Sequence, residues 1–357
     1  MWTRPCFMAT LLLALAGCTA PSGGTSVDGG AFRPLPTYAA TPRPAPDDSS
    51  MREAAERAHA RYADLRDGEN ADYIPALAEV DSELFSISIV TVDGESIDVG
   101  DADAMFSIQS ISKAFVLALA MQELGDDAIL DRVGVNATGQ QFNSIIAIEM
   151  IQERSANSLV NAGAIATTSL VPGATADAKW NTIVRGLSDF AGRRLTVNEP
   201  VCESELATNQ RNQAIGKLLE AYGRIYDDPT ESVNVYTKQC ALNVNSHDLA
   251  VMAATLANAG VNPVTGAQVI DAAHVPNVLA VMATAGLYEE SGTWLYRVGL
   301  PAKSGVGGGI VAVAPGRFGI AAFSPRLDEA GNSIRAQHAI RDIAEQLGAN
   351  VFLPATN

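Results

Sequence analysis

Apolar positions in the first part of the chain change from a helical period to a strand period. A run of helix formers opens at about Met51 and is closed by Gly68, which predicts a helix. The apolar runs from Phe85 to Val92 and from Glu95 to Val99 are joined by an Asp-Gly pair. Such a pair between two strand-like runs predicts a β-hairpin.

The stretch 105–125, MFSIQSISKAFVLALAMQELG, returns to the helical period. Its apolar side chains recur three and four residues apart, at Ile111, Ala114, Phe115, Ala118 and Leu119. This spacing predicts a strongly apolar helix, and Gly125 is the kind of residue that commonly ends one. The helix would begin close to Ser110 and Lys113.

The remainder of the chain divides into a helical middle and a β-rich end. From about Asp126 to Ala285 the apolar stripes have helical spacing, including one helix capped by Ser246. The runs 310–314 and 318–323 flank a Pro-Gly pair and predict a second hairpin, followed by a last helix from about Ser333 to Leu347. We therefore expect an α+β fold, an antiparallel sheet with flanking helices plus a mainly helical region.

Composition narrows the possible functions. The 357 residues are 47% hydrophobic, enough for a large core, and the net charge is -16. This charge argues against nucleic acid or an anionic membrane surface as partner. The four histidines are scattered, and no Cys or His pair has metal-ligand spacing, so we expect neither a metal site nor a cofactor.

The amino terminus has the features of an exported protein. Residues 1–18 combine an early Arg4, an apolar run and small residues before Cys18, which predicts a signal peptide too short to span a bilayer. The ending LAGC resembles a bacterial lipobox, in which Cys18 would carry the lipid. Residues 19–50 are rich in Pro, Gly and Ser and predict a flexible tether before a folded domain at 51–350. Two alternatives remain. The segment could be an ordinary secretory signal, or the start codon could be misassigned, in which case the protein would be cytoplasmic.

Two cysteines, Cys202 and Cys240, lie within the predicted folded domain. An oxidising compartment would permit a bridge between them if their Cα atoms came within about 7 Å. Their spacing does not decide whether they pair.

Ser110 and Lys113 are three residues apart, so that both side chains lie on one helical face. Free N–H groups at a helix start favour a developing oxyanion beside Ser110. A desolvated lysine has a pKa below its reference of about 10.4 and can accept the serine proton. Lysine is also scarce here, with five against nineteen arginines, and arginine cannot act as a base. This pattern predicts a Ser-Lys nucleophile, with a structural lysine as the alternative.

A second candidate for the same chemistry is LPAKSGVGGGI at 300–310. Its glycines would let backbone N–H groups approach a ligand closely. The phosphate-loop spacing is missing, and K-S-G leading a strand is instead similar to the K-T-G element of serine β-lactamases and penicillin-binding proteins.

The chain from about Met51 to Leu347 resembles the serine-dependent glutaminase family, which shares the β-lactamase/transpeptidase fold. Nine motifs in order carry the resemblance: ADYIPALA, FSIQSISK, QQFNSI, VNAGAI, SELATNQRN, YTKQC, AGLYEESG, LPAKSGVGGGI and FSPRLDEAGNS. The resemblance implies hydrolysis of L-glutamine to L-glutamate and ammonia through an acyl-enzyme.

The resemblance also implies roles for individual residues. Ser110 would be the nucleophile and Lys113 its general base, with Tyr288 or Tyr236 assisting proton transfer. L-glutamine would be held by Tyr73, Ser110, Asn161, Glu205, Asn212, Tyr236, Tyr288 and Val306. The oxyanion would be bound by the backbone N–H groups of Ser110 and Val306. Glu205 can face the substrate ammonium, and the asparagines can donate to its carboxylate.

Two other functions fit part of the sequence. A penicillin-recognising hydrolase on the same fold would use an S-x-N element, which Ser155-Ala156-Asn157 matches by letters. The other is a lipoprotein that binds glutamine without turnover. For the glutaminase, we expect L-glutamine as the small-molecule partner, a homo-oligomer (dimer or tetramer), and membrane contact only through a lipid anchor on the periplasmic side.

Overall fold

The computed structural model describes residues 46–151 and 156–354. The predicted signal peptide, Cys18 and nearly all of the predicted tether lie outside these residues. Eight strands are described: β1 (Ser86–Thr91), β2 (Ser96–Gly100), β3 (Phe106–Ser107), β4 (Thr196–Val197), β5 (Leu242–Val244), β6 (Ala302–Ser304), β7 (Gly309–Ala314) and β8 (Phe318–Phe323).

Fourteen α-helices are described, most of them between β3 and β6. They are α1 (Asp48–Tyr62), α2 (Pro75–Ala78), α3 (Ser112–Leu124), α4 (Asp126–Arg132), α5 (Ile146–Met150), α6 (Asn161–Leu170), α7 (Ala176–Ala191), α8 (Glu199–Thr208), α9 (Gln210–Ala221), α10 (Pro229–Cys240), α11 (Ser246–Ala257), α12 (Val275–Ala285), α13 (Ser291–Val298) and α14 (Ile334–Gln346). Short 3-10 turns at Gln109–Ile111 and Tyr288–Glu290 precede α3 and α13.

The main sheet is antiparallel and has the strand order β2-β1-β8-β7-β6. Both predicted hairpins are confirmed, β1 with β2 and β7 with β8. The sheet joins the two hairpins through β1 and β8, so strands from opposite ends of the folded region are neighbours. A smaller sheet has the order β3-β5-β4.

Each face of the main sheet packs against its own helices. Ile87 and Ile89 of β1 point into a core formed with α1, α13 and α14. Val90, on the opposite face, belongs to the larger core of α3, α7, α11 and α12. Helix α11 approaches β8 so closely that a Cβ at Gly319 would lie 2.2 Å from the backbone nitrogen of Ala254. The α+β prediction is therefore confirmed, and the site region lies where the helices meet the β6 edge.

Three predicted boundaries are wrong in detail. Helix α1 begins at Asp48 because Asp47 accepts a hydrogen bond from the backbone of Ser50, so the predicted tether runs two to three residues too far. The same helix ends at Tyr62, and Gly68 instead lets the chain pass Leu327, whose carbonyl a Cβ would meet at 2.3 Å. Helix α11 is capped by Asn245 and not by Ser246, because Asn245 forms a reciprocal capping box with Asp248.

Both cysteines of the folded region are buried and free, and no bridge joins them. Cys202 lies among the apolar residues near Ala71 and Leu77, whereas Cys240 packs with Tyr236 in the helical region.

Candidate active site

Ser110 lies in the 3-10 turn before α3 and is almost fully buried. The preceding residue, Gln109, has a φ of 49°, in the left-handed region that non-glycine residues rarely adopt. The hydroxyl of Ser112 donates to the carbonyl of Gln109 at 2.8 Å and holds this turn. The sequence therefore places Ser110 at a helix start, as predicted, but through a strained turn that the apolar pattern does not reveal.

Lys113 is only 1% exposed. Its ammonium donates to Asn161 Oδ1 at 2.7 Å, and among the described residues it forms no ion pair. Burial lowers the pKa of Lys113 to about 8, against the opposing effects of Cys240 and Glu205. The predicted desolvated lysine is therefore present one turn after Ser110.

Asn161 connects Lys113 to two other predicted residues. Its Oδ1 also accepts from the hydroxyl of Tyr236 at 3.2 Å, and its Nδ2 donates to Asn212 Oδ1 at 2.9 Å. The Lys113 ammonium lies 5.6 Å from the centroid of the Tyr236 ring. Four side chains from α3, α6, α9 and α10 thus form one network.

Glu205 supplies a buried carboxylate, with 7% of its surface exposed. Burial raises its pKa to about 7, while a hydrogen bond from Gln109 and the charge of Lys113 act in the opposite direction. The Gln109 amide donates to Glu205 Oε2 at 3.3 Å. A carboxylate held this way can accept a cation because no basic side chain neutralises it at close range.

Tyr288 is the tyrosine beside Ser110. Its backbone φ is 56°, and its hydroxyl donates to the carbonyl of Ser304 at 3.4 Å. Burial raises the pKa of Tyr288 to about 12, and hydrogen bonding with Ser110 and Ser304 opposes this increase. The two candidate tyrosines thus differ in position: Tyr288 contacts the serine, and Tyr236 contacts the partner of the lysine.

The remaining predicted residues lie at the opening. Tyr73 and Val306 line one cleft together with Phe142, whose ring centroid is 4.9 Å from that of Tyr288. Half of the Tyr73 side chain is exposed, but its hydroxyl end is buried. This burial is the main reason that the pKa of Tyr73 is raised, and the nearby Tyr288 and Glu205 raise it further. No turn, loop or cap hydrogen bond among the described residues uses the backbone N–H of Ser110 or Val306. That these two groups bind an oxyanion stays a prediction from the family resemblance.

Two further residues belong to this region, and sequence reasoning did not place them there as site residues. Lys303 is fully buried, and its ammonium lies 4.2 Å from the centroid of the Tyr288 ring. The K-S-G motif was the signal for it. Gln109 had no signal beyond its position before Ser110, because its conformation and its contact with Glu205 depend on tertiary structure.

Of the S-x-N match of the alternative function, Ser155 lies outside the described residues, and Asn157 is held by local structure. Asn157 is fully buried, its Nδ2 donates to the carbonyl of Asn136, and its Oδ1 accepts from the backbone of Leu159. Its amide is therefore occupied by main-chain groups and does not contact Ser110 or Lys113.

Other parts of the described chain add no competing centre. An apolar cleft between α3, α4 and α12 contains none of the residues above. Within residues 46–151 and 156–354, no group of three or more His, Cys, Asp or Glu could hold a metal ion. Over those same ranges, no helix is both long and apolar enough to cross a membrane.

Comparison with known proteins gives a single answer. Residues 68–352 match the family model described as Glutaminase. A glutaminase of Colwellia psychrerythraea is 53% identical over 307 residues, 86% of this chain and 99% of the relative, and one of Brucella canis is 52% identical over 303 residues, 85% and 96% respectively. The solved structure of the probable glutaminase ybaS has a TM-score of 0.85 at 47% identity and covers 86% of this chain and 99% of that one.

Proposed function

The chain belongs to the glutaminase family, with its β-lactamase-like fold, and from that premise we propose how it hydrolyses L-glutamine to L-glutamate and ammonia. The observation that carries the mechanism is a buried Lys113 with a pKa near 8, one turn after a buried Ser110. A lysine of this kind is neutral in a useful fraction of molecules near neutral pH. It can therefore take the proton of Ser110 without histidine.

In the first half of the reaction, Ser110 Oγ attacks the carbon of the side-chain amide as its proton moves to Lys113. The oxyanion is held by the backbone N–H groups of Ser110 and Val306. Tyr288, which contacts Ser110, relays the proton to the amide nitrogen, and the C–N bond breaks to release ammonia. The product is a γ-glutamyl ester of Ser110.

In the second half, water attacks the ester carbon and gives its proton to the same base. The tetrahedral intermediate collapses, the Ser110 oxygen regains a proton, and L-glutamate leaves. Asn161 keeps the Lys113 amino group in place in both its neutral and its protonated form, since Lys113 donates to it at 2.7 Å. Tyr236 donates to the same oxygen of Asn161 and helps to fix it.

Substrate recognition follows from the charges around this pair. Glu205 faces the ammonium of free glutamine, and its ionised form is stabilised when that cation binds. One N–H of Asn161 Nδ2 donates to Asn212, so its second N–H and the Nδ2 group of Asn212 are the donors we assign to the substrate carboxylate. Tyr73 and Val306 close the outer end of the site.

A coupled assay of glutamate and ammonia with purified protein tests this function. We expect turnover of L-glutamine by the wild-type protein and none by Ser110→Ala. Tight binding of glutamine without product would instead identify a binding lipoprotein. Hydrolysis of nitrocefin without that of glutamine would identify a penicillin-recognising hydrolase.

We further propose that the protein is exported and lipid-anchored through Cys18 on the periplasmic side of a bacterial membrane. The support is LAGC followed by the Pro/Gly/Ser-rich segment. The match with the Colwellia psychrerythraea glutaminase spans 99% of that protein but 86% of this chain. Part of this chain therefore lies outside the match. Cys18→Ser should move the protein from the membrane to the soluble fraction. Unchanged membrane fractionation would contradict the anchor.

A homo-oligomer is supported by exposed apolar side chains on one short helix. Ile146 and Met150 of α5 are 63% and 67% exposed, and Tyr222 extends to Glu149 of the same helix. Light scattering coupled to gel filtration should give a dimer or tetramer. A monomer that is fully active would remove this proposal.

A further inference from the structure

Lys303 is the most completely buried cation that the mechanism above does not use. Its side chain on β6 is fully buried, and within the described residues it forms no ion pair. Burial is the main reason that the pKa of Lys303 lies well below the ordinary value for lysine, and the nearby Lys113 lowers it further. A buried ammonium without a carboxylate is unfavourable, so other contacts must hold it in this position.

Those contacts converge on Tyr288. The Lys303 ammonium donates to the carbonyl of Gly286 at 2.9 Å and to that of Ser304 at 2.7 Å. Gly286 lies two residues before Tyr288, and the Ser304 carbonyl also accepts from the Tyr288 hydroxyl. The ammonium itself lies 4.2 Å from the centroid of the tyrosine ring, within the range of a cation–π interaction.

Tyr288 needs this support because its backbone is strained. Its φ of 56° is in the left-handed region, which a tyrosine adopts only where surrounding contacts require it. The segment before it is pressed against β6: a Cβ at Gly286 would lie 1.7 Å from the carbonyl of Ala302, and the Ser304 backbone donates to Gly286 at 3.2 Å. Lys303 therefore ties together the chain entering the turn, the ring, and the acceptor of the hydroxyl.

The K-S-G motif predicted backbone N–H groups close to a ligand and assigned no role to the Lys303 side chain. Two of the three ammonium hydrogens of Lys303 are directed to main-chain carbonyls. We propose that Lys303 is a positioning residue that holds the Tyr288 hydroxyl at Ser110 and does not contact the substrate. This inference rests on the proposed function, because it gives Tyr288 its role in proton transfer.

A double-mutant cycle on kcat tests the inference. Lys303→Met keeps the length and apolar volume of the side chain and removes the ammonium. We expect kcat to fall about 100-fold, the range of one lost proton-transfer group, while KM changes less than about threefold. In a Tyr288→Phe background the same change should cost less than about threefold, because the hydroxyl that Lys303 positions is already gone.

Lys179 offers a matched control. It is also buried, on α7, and its ammonium donates to two carbonyls, those of Ser169 at 2.7 Å and Val171 at 2.9 Å. Unlike Lys303, it also forms an ion pair with Asp227 at 3.1 Å. Lys179→Met should lower stability and leave kcat per folded molecule unchanged. If Lys303→Met does not fold, Lys303→Leu, which also removes every N–H donor of the side chain, replaces it in the same cycle.

Three results would overturn the inference. A rise in KM with unchanged kcat would show that Lys303 contacts the substrate. If Lys303→Met lowered the kcat of the Tyr288→Phe variant by more than about tenfold, Lys303 would act independently of Tyr288. An unchanged kcat in a folded Lys303→Met protein would show that Tyr288 is positioned without it. Wild-type hydrolysis of glutamine, measured in the same series, separates each of these from a failure of the proposed function.

Discussion

Strand β1 and the turn at Ser110 follow one another closely in the chain, but different forces decide their structures. In β1, Ile87 and Ile89 are fully buried, and the backbone pairs with both β2 and β8. In the turn, Gln109 has a left-handed backbone and Lys113 carries a buried charge. The conformation of the strand agrees with the apolar pattern of its own sequence. The left-handed conformation at Gln109 is unfavourable for that residue and depends on contacts with other residues, such as Ser112.

The comparison separates residues that stabilise the fold from residues to which we assign a role in the reaction. Apolar burial in β1 stabilises the fold in proportion to the area removed from water. The charged site residues are costly to bury, so their burial does not by itself stabilise the fold. Substitutions in the two regions should therefore change different measurable quantities, and five experiments can break or sharpen the contrast.

The largest effect is expected from the Ser-Lys pair. Ser110→Ala or Lys113→Ala should each lower kcat by about 10⁴-fold or more, and the double variant should lose little further because the two act as a unit. Lys113→Met should also raise the free energy of unfolding by roughly 1 to 3 kcal/mol, since it removes a charge whose pKa burial lowers to about 8. Ammonia release and urea unfolding measure the two quantities. Near-normal activity of Lys113→Ala would refute its role as base.

The next effect concerns selectivity through Glu205. A ligand without the α-ammonium leaves this carboxylate buried and unpaired, which costs on the order of 3 to 5 kcal/mol, or a few hundredfold and more. Free L-glutamine should therefore be hydrolysed, and N-acetylglutamine and internal peptide glutamines should not. Glu205→Gln should lose kcat/KM on glutamine mainly through KM and narrow the gap to N-acetylglutamine. Equal efficiency of the wild-type protein on both substrates would exclude this role.

In the strand, the matching change is Ile89→Ala. Truncating this fully buried isoleucine should lower the free energy of unfolding by about 2 to 5 kcal/mol, because less apolar surface is buried and a cavity is left in the core. The kcat of the folded molecules should stay within about twofold of wild type. Denaturant unfolding and an assay well below the transition test both parts. A large fall in kcat at full folding would mean that the sheet and the site are not separable.

The pH dependence comes from the two shifted groups of the site. Lys113 must be neutral and protonates as pH falls through about 8, whereas Glu205 must be ionised and protonates through about 7. Together they predict that kcat/KM falls roughly 50-fold from pH 7 to pH 6. In kcat only the Lys113 step should remain, because the bound ammonium keeps Glu205 ionised. A profile of kcat/KM that is flat between pH 6 and 8 would be incompatible with both assignments.

The smallest effect isolates the strain of the turn. At a φ of 49°, Gln109→Gly removes the side chain without backbone strain, whereas Gln109→Ala removes it and keeps the strain. We expect the glycine variant to be more stable by about 1 kcal/mol, with similar kinetic defects in both from the lost contact to Glu205. Thermal unfolding gives the comparison. Equal stability would show that the surrounding structure and not Gln109 determines this conformation.

The contrast also explains what could be predicted from the sequence. Both hairpins, α3 and α14 follow from apolar periodicity, since burial of one face decides them. Ser110 and Lys113 were predicted from their spacing, and Tyr73, Asn161, Glu205, Asn212, Tyr236, Tyr288 and Val306 only from resemblance to a family. The contacts of Gln109 and Lys303 could not be predicted, because each depends on a main-chain conformation set by residues distant in sequence.

The pairing of β1 with β8 has a consequence for how the protein is made. The first strand waits for its central partner until nearly the whole chain has been synthesised, and non-local pairing of this kind slows folding. The site depends on the same closure, because Ser110 follows the first hairpin and Val306 precedes the last strands. In the proposed mechanism, a nascent or truncated chain that lacks β7 and β8 has Ser110 but not the strands that hold β6 and the following Val306 in place. We therefore expect catalytic activity only when the polypeptide is essentially finished.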